Sequence, residues 1–215
     1  MPKLSTPDSS EGRPSETREI LTPHDLAAGP VTAVRNMILQ ASLAQLRASG
    51  HFERYAALIA PRVLEQLIAM SIVPGWIPID LVLAHYEACD DLMLTREQFA
   101  QMGSAVGERV QETALVSPAK KTRDADYDPW NAVGPLQRMW ARIYQGGSVQ
   151  VVKVGPRAKL LEQRGFQVSR FQYYRQGQMA ALRTIHRALG TQTLDTKIES
   201  YSPARDELVI RVSWA

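Results

Sequence analysis

Two side chains with the chemistry of metal ligands stand four residues apart in this sequence. His85 and Cys89 lie in the segment IPIDLVLAHYEACDDLM, and on a helix this spacing places both on one face. An imidazole and a thiol in that position could offer two soft ligands to a metal ion or a haem iron. A structural zinc site needs four ligands, and no second pair has ligand spacing. The more ordinary interpretation is a helix whose histidine and cysteine pack into the core or its edge.

Basic and aromatic residues are interleaved in a second stretch, near the start of a later predicted helix. Arginines that contact phosphates, together with rings that stack on bases, are what a nucleic-acid surface requires. The candidates are Arg170, Tyr173, Tyr174, Arg175 and Arg183. No RNP or helix-turn-helix signature accompanies them, and arginines commonly occupy the wet face of a helix. Nucleic-acid binding is therefore the third-ranked hypothesis.

The sequence contains no recognisable catalytic motif. A nucleophile hypothesis would pair Cys89 with a histidine, but the sequence does not place the two within hydrogen-bond distance. The glycine pairs Gly103/Gly107 and Gly146/Gly147 match no nucleotide fingerprint. Because Gly103 and Gly107 are one helical turn apart, they predict a close approach to another backbone. We expect a protein that is not an enzyme.

Composition places the chain among ordinary soluble proteins. Its 215 residues are 45% hydrophobic, and the net charge of +3 is too small to indicate a dedicated nucleic-acid binder. A single cysteine excludes an intrachain disulfide and fits a reducing compartment. No signal-peptide pattern and no run of about 18 uncharged apolar residues is present. These features predict a cytoplasmic protein with no membrane span.

The elements are clearest in residues 146–215. Strands are predicted over Val149–Val154 and Phe166–Phe171, a helix over Tyr173–Leu189, and two further strands over Thr193–Tyr201 and Glu207–Trp214. The order β-β-α-β-β predicts a small antiparallel sheet crossed by one helix.

Residues 30–145 are predicted to be helical, and together with the sheet part they form a single α+β domain, residues 30–215. Thr95 opens one helix with a capping box completed by Gln98. The predicted helices cover Pro30–Ala48, Phe52–Met70 with a break near Pro61, Asp80–Leu92, Thr95–Leu115 and Trp130–Tyr144.

Residues 1–29 are rich in Ser, Thr, Pro, Gly and charge, which predicts a disordered tail. Within it, Ile20, Leu21 and Leu26 form a short apolar segment. This segment could dock on a partner or on the surface of the domain itself.

Several segments together resemble an uncharacterised bacterial family akin to the haem-nitric-oxide-binding-like and 4-vinyl-reductase-like domains. They are IPIDLVLAHYEACDDLMLTREQFAQMGSAVGERV, WARIYQGGSVQVVKVGPRAKLLE and the terminal VIRVSW. The resemblance implies helices packed on a small antiparallel sheet and a role in ligand sensing or regulation. Some relatives bind haem or a small hydrophobic molecule between helices and sheet. The haem-binding branch has a Tyr-x-Ser-x-Arg motif, whereas Tyr201–Arg205 has proline at the serine position, so a haem role is not carried over.

The leading hypothesis is a non-enzymatic sensory or regulatory domain that binds a small apolar ligand or a protein partner. An apolar pocket is expected between the helices and the sheet. The alternative is a protein-interaction module, or a homo-oligomer, that uses the tail and a sheet edge. The predicted pocket residues are Trp76, Leu81, His85, Trp140, Tyr144 and Met179.

Overall fold

The computed structural model describes residues 17–112, 130, 133–188 and 194–215, which contain seven α-helices and eight β-strands. In this part of the chain, no helix combines the length and the apolar character needed to cross a membrane. The helices are α1 (Asn36–Ala48), α2 (Phe52–Leu58), α3 (Pro61–Ile72), α4 (Ile79–Asp91), α5 (Arg96–Glu112), α6 (Val133–Ile143) and α7 (Gln172–Ala188). The strands are β1 (Glu19–Thr22), β2 (Ala33–Arg35), β3 (Trp76–Pro78), β4 (Tyr144–Gln145), β5 (Ser148–Gly155), β6 (Ala158–Arg164), β7 (Leu194–Ser202) and β8 (Glu207–Trp214).

The main sheet has five antiparallel strands in the order β1-β5-β6-β8-β7, and the predicted α+β fold is confirmed. The second strand of its first hairpin is β6, not the predicted Phe166–Phe171. That segment instead contains a 3-10 turn, Gln167–Arg170, which buries Phe166 and Val168. Apolar alternation over six residues arises equally from a strand and from a turn anchored by alternate side chains, so the pattern did not discriminate.

The N-terminal segment docks on the sheet of its own domain. Glu19 lies opposite Lys153 and Ile20 opposite Val152, so β1 covers the free edge of β5. The prediction of a disordered tail is therefore wrong for residues 17–29, because an open sheet edge offers backbone partners that a polar segment can use. Residues 1–16 lie outside the described residues.

A second sheet of three short strands, in the order β3-β2-β4, was not predicted. It binds together the starts of α1 and α4 and the end of α6. The predicted helix over Pro30–Ala48 begins only at Asn36, because the three preceding residues pair in β2. Strands of two or three residues are too short to show alternation. Tertiary packing stabilises these strands instead, since Val34 of β2 and Ile77 of β3 are completely buried.

The longest helices, α5 and α7, cross at two glycines. A Cβ atom on Gly103 would lie 2.2 Å from the carbonyl oxygen of Gly177, which is closer than any real contact. A Cβ on Gly107 would lie 2.9 Å from Cβ of Thr184. The predicted close backbone approach at Gly103 and Gly107 is confirmed. The predicted capping box also forms, since the Thr95 amide donates to Gln98 Oε1 at 2.8 Å and the Gln98 amide donates to Thr95 Oγ1 at 3.3 Å.

Asp90, on α4, caps the N-terminus of α7. The amide of Gln172 donates to Oδ2 at 2.8 Å, and the amide of Tyr173 donates to Oδ1 at 2.6 Å. Burial raises the pKa of this carboxyl, while the two backbone bonds oppose that shift. Free amides at a helix N-terminus favour a carboxylate partner, so Asp90 fixes α7 against α4.

Replacing Asp90 by alanine should lower the free energy of unfolding by about 1–2 kcal/mol, because two helix-terminal amides lose their acceptor. Urea unfolding checks this prediction. The neighbouring Asp91→Ala is the matched control, since Asp91 is exposed and should have little effect. Equal losses for the two variants would show that the cap contributes nothing of its own.

Candidate functional site

A cavity of about 60 Å³ lies among α1, α4, α5, α6 and α7. Most of its wall is apolar, but one end carries the polar side chains of Ser42, His85 and Tyr173. The apolar part of the wall includes Leu39, Met102, Val106, Val110, Met139, Trp140 and Ile143. An apolar cavity with a few converging polar groups is the usual form of a small-molecule site.

Four helices bring together the side chains at the polar end, which we call the His85 cluster: Ser42, Tyr55, His85, Cys89 and Tyr173. His85 Nε2 lies 2.9 Å from Ser42 Oγ, and Nδ1 lies 2.9 Å from the hydroxyl of Tyr55. Ser42 Oγ also bonds to the hydroxyl of Tyr173. The Cys89 sulfur is 3.7 Å from Nε2. His85, Cys89 and Tyr55 are all completely buried.

Burial keeps every member of the His85 cluster uncharged near neutral pH. It lowers the pKa of His85 to about 3 and raises the pKa values of the Cys89 thiol and of the Tyr55 and Tyr173 hydroxyls. A neutral imidazole has one donor and one acceptor nitrogen. The bonds can therefore run from Tyr173 through Ser42 and His85 to Tyr55, or in the opposite direction. In the second direction, the Tyr173 hydroxyl hydrogen is not used by Ser42, so the Cys89 sulfur or a group in the cavity can accept it.

The structure bears directly on the hypothesis that His85 and Cys89 bind a metal or haem iron. Both ring nitrogens of His85 are already hydrogen-bonded, so a metal bond would have to displace Ser42 or Tyr55. In the described ranges, no group of three or more His, Cys, Asp or Glu residues could hold a metal ion. The arrangement favours the more ordinary interpretation, a packed histidine and cysteine.

Three of the six predicted pocket residues line the cavity: His85, Trp140 and Tyr144. The other three do not contribute to it. Trp76 lies on β3 beneath the guanidinium of Arg35, at 4.6 Å, and Leu81 packs at the margin of the core. Met179 is buried on α7, and its carbonyl accepts a hydrogen bond from Thr196 of β7. It therefore lies on the sheet side of α7, whereas Gly177 and Ala181 line the cavity.

Sequence reasoning missed Ser42, Tyr55 and Tyr173 as members of this site. Each comes from a different helix, and each lies at least 30 residues from His85. Their spacing therefore carries no local signal. The only available clue was chemical, because a buried histidine requires partners for its ring nitrogens.

The predicted nucleic-acid face is wrong for its two tyrosines. Tyr173 and Tyr174 are 5% and 4% exposed, and Tyr174 donates to Gln163 Oε1 at 3.0 Å. Both rings belong to the inward stripe of α7, so neither is available to stack on a base. Arg175 donates to the carbonyls of Ser169 and Arg170, and its guanidinium lies over Tyr201. Arg183 donates to the Thr196 hydroxyl.

No family model matches the sequence, and no curated protein matches it. Solved structures do match the fold. One, from work on modulating haem redox potential through protein-induced porphyrin distortion, has a TM-score of 0.51 at 10% identity, over 84% of this chain and 99% of that chain. Another, a doubly substituted H-NOX domain, has a TM-score of 0.49 at 11% identity, over 84% of this chain and 94% of that chain. The first match shows that this chain shares the overall fold of a solved haem protein.

Proposed function

We propose that this chain is a non-enzymatic sensory or regulatory domain whose cavity takes a small, mainly apolar ligand with one hydroxyl or carbonyl group. The observation that carries the proposal is the convergence of Ser42, His85 and Tyr173 at one end of an otherwise apolar wall. The ligand's polar group would bond to Tyr173, and its apolar part would lie against Met102, Val106 and Met139. Sensing and ligand binding are also what the family resemblance implies.

Haem does not fit this site. The cavity of about 60 Å³ is far below the roughly 300 Å³ at which cofactor pockets begin. The segment Tyr201–Arg205, which corresponds to the haem-binding motif, does not line the cavity. Tyr201 is 49% exposed, and Arg205 bonds to Ser202 and Glu207 at the rim of the sheet. The proposed ligand is therefore smaller than a porphyrin.

The cavity volume sets the size of the ligand. One water-sized group occupies about 10–15 Å³ of such a volume, so the cavity has room for about four to six groups of this size. Met102 and Met139 contribute flexible side chains that can adjust to the ligand's shape. A short chain with a terminal hydroxyl group matches both the size and the polarity.

The electrostatics of the His85 cluster support a binding role rather than catalysis. With a pKa near 3, His85 is a poor proton acceptor at neutral pH. The raised pKa of Cys89 keeps the thiol protonated, and a thiol is a much weaker nucleophile than a thiolate.

A route from the ligand to the rest of the fold is provided by the crossing of α5 and α7. Gly103 and Gly177 form the tightest part of this crossing and also line the cavity. A ligand larger than the flexible methionines can accommodate would therefore move one helix against the other. Because α7 also packs against β7 and is capped by Asp90, such a shift would reach the sheet and α4.

A homologous series of straight-chain primary alcohols tests the proposal. Each added methylene in the cavity should strengthen binding about fourfold, until a tail of about four carbons fills the space, after which affinity should fall. Methyl resonances of Met102 and Met139 report the binding by NMR titration of the full chain.

The matched variant is Val106→Phe, which fills the cavity with apolar atoms and should weaken butanol binding at least tenfold. A thermal melt establishes that this variant folds. Affinity that rises steadily with chain length and is unchanged in Val106→Phe would indicate surface partitioning and would refute the proposal.

The alternative of a protein-interaction module ranks second. The tail segment that was expected to recruit a partner contributes β1 to the domain's own sheet. Among the described strands, β1 and β7 are the two edges of the five-stranded sheet. The exposed Asp195, Lys197 and Glu199 on β7 are charges of the kind that oppose pairing with another strand.

A further inference from the structure

A second cavity, of about 200 Å³, lies on the other side of Trp140 and Tyr144, which line both cavities. Its walls come from α6, the turn between β4 and β5, and the docked N-terminal segment. The residues that define its chemistry are Asp25, Gln137, Trp140, Tyr144, Ser148 and Phe166. An engineered cavity of about 150 Å³ binds benzene, so this space can hold a ring with a short substituent.

Three aromatic side chains form much of this wall. Tyr144 and Phe166 pack edge to face, with centroids 5.0 Å apart and planes inclined at 72°, and Trp140 adds a third ring. The faces of aromatic rings are electron-rich and attract cations. The aromatic wall of this cavity is therefore suited to a positively charged organic ligand.

The polar groups in the cavity point to the same ligand class. Gln137 Nε2 donates to the carbonyl of Val149 at 3.3 Å, but its Oε1 is buried with no hydrogen-bond partner in the described residues. A buried acceptor without a donor is costly, and a ligand N–H would remove that cost. Asp25, an exposed residue whose Oδ1 accepts from the Ala27 amide at 2.9 Å, supplies a negative charge, and none of the described lining residues carries a positive one.

We propose that this second cavity binds a small organic ammonium ion. The ammonium group would donate to Gln137 Oε1, with its charge balanced by Asp25 and by the ring faces. The carbon part of the ligand would lie against Trp140 and Phe166. This site is separate in chemistry from the His85 cavity, whose polar end is uncharged.

Isothermal titration calorimetry of the full chain with benzylammonium chloride tests the proposal, and benzyl alcohol is the neutral control of similar shape. We expect benzylammonium to bind at least tenfold more tightly, because the alcohol lacks the charge that the rings and Asp25 recognise. Equal affinity for the two probes, or no binding at millimolar concentration, would overturn the proposal.

Variants at the two polar residues test the proposed contacts. Gln137→Leu removes the unpaired acceptor and should weaken benzylammonium binding about tenfold. Asp25→Asn, a change at an exposed residue, should also weaken it. Unchanged binding in Gln137→Leu would contradict the proposed contact. Val106→Phe fills only the first cavity and should leave benzylammonium binding unchanged. The two proposals are therefore tested separately, because alcohol binding in the first cavity can fail while benzylammonium binding in the second succeeds, and the reverse.

Discussion

Replacing Gly103 by alanine is expected to destabilise the domain by about 3 kcal/mol or more. The added Cβ would lie 2.2 Å from the carbonyl oxygen of Gly177 and 2.6 Å from its Cα, both backbone atoms that cannot rotate away. This steric clash can be relieved only if α5 and α7 move apart, which opens the core between them. Urea unfolding of the variant and of the wild type measures the difference.

The matched control is Gly177→Ala at the same crossing. A Cβ on Gly177 meets only Cα of Gly103, at 3.8 Å, which is an ordinary van der Waals distance. Alanine has a higher helix propensity than glycine, which should offset any small adjustment in the packing of the two helices. The free energy of unfolding should therefore be within about 1 kcal/mol of the wild-type value. Equal destabilisation by the two substitutions would mean that the crossing is not as close as the structure shows.

Acidification is expected to destabilise the fold strongly between pH 6.5 and pH 4.5. Burial lowers the pKa of both His85 and His186 to about 3, and nearby Lys159 lowers that of His186 further. The unfolded chain binds protons at these histidines below pH 6.5, while the folded chain does not. Stability is therefore fully present above pH 6.5 and is lost as pH falls, at up to roughly 1.4 kcal/mol per pH unit and per histidine.

By pH 4.5 the two histidines together should remove about 5 kcal/mol, which is comparable with the whole stability of many domains. Urea unfolding at a series of pH values gives the slope. His186→Leu should reduce the slope by about one proton, because His186 bonds only to the Leu182 carbonyl and its Nε2 has no partner in the described residues. A stability that is flat over this pH range would contradict the burial of both imidazoles.

Local pattern predicted the parts of the fold that local forces determine. The hairpin formed by β7 and β8, the helix α7 and the capping box at Thr95 all follow from propensity, alternation and side-chain capping. The edge strand β1 and the three short strands around β2 depend on backbone partners more than 40 residues away in sequence. No window of the sequence contains both partners, so their pairing could not be predicted.

The site was predictable in outline only. His85, Trp140 and Tyr144 line the cavity as expected, whereas Met179 lies on the opposite side of α7. The position of a residue around a helix follows from periodicity, but which side faces a cavity and which faces the sheet depends on packing. The second cavity was not foreseen, because its Asp25 comes from a segment that composition assigned to a disordered tail.

The location of a bound alcohol tests the central claim most directly. In a sample of the full chain with butanol, we predict intermolecular nuclear Overhauser effects from the butanol methyl group to the methyl groups of Met102 and Met139, which line the cavity. Met93, which is 85% exposed, serves as the internal control and should show none. Contacts to Met93 without contacts to Met102 and Met139 would place the alcohol on the surface and would contradict a ligand site at the His85 cluster.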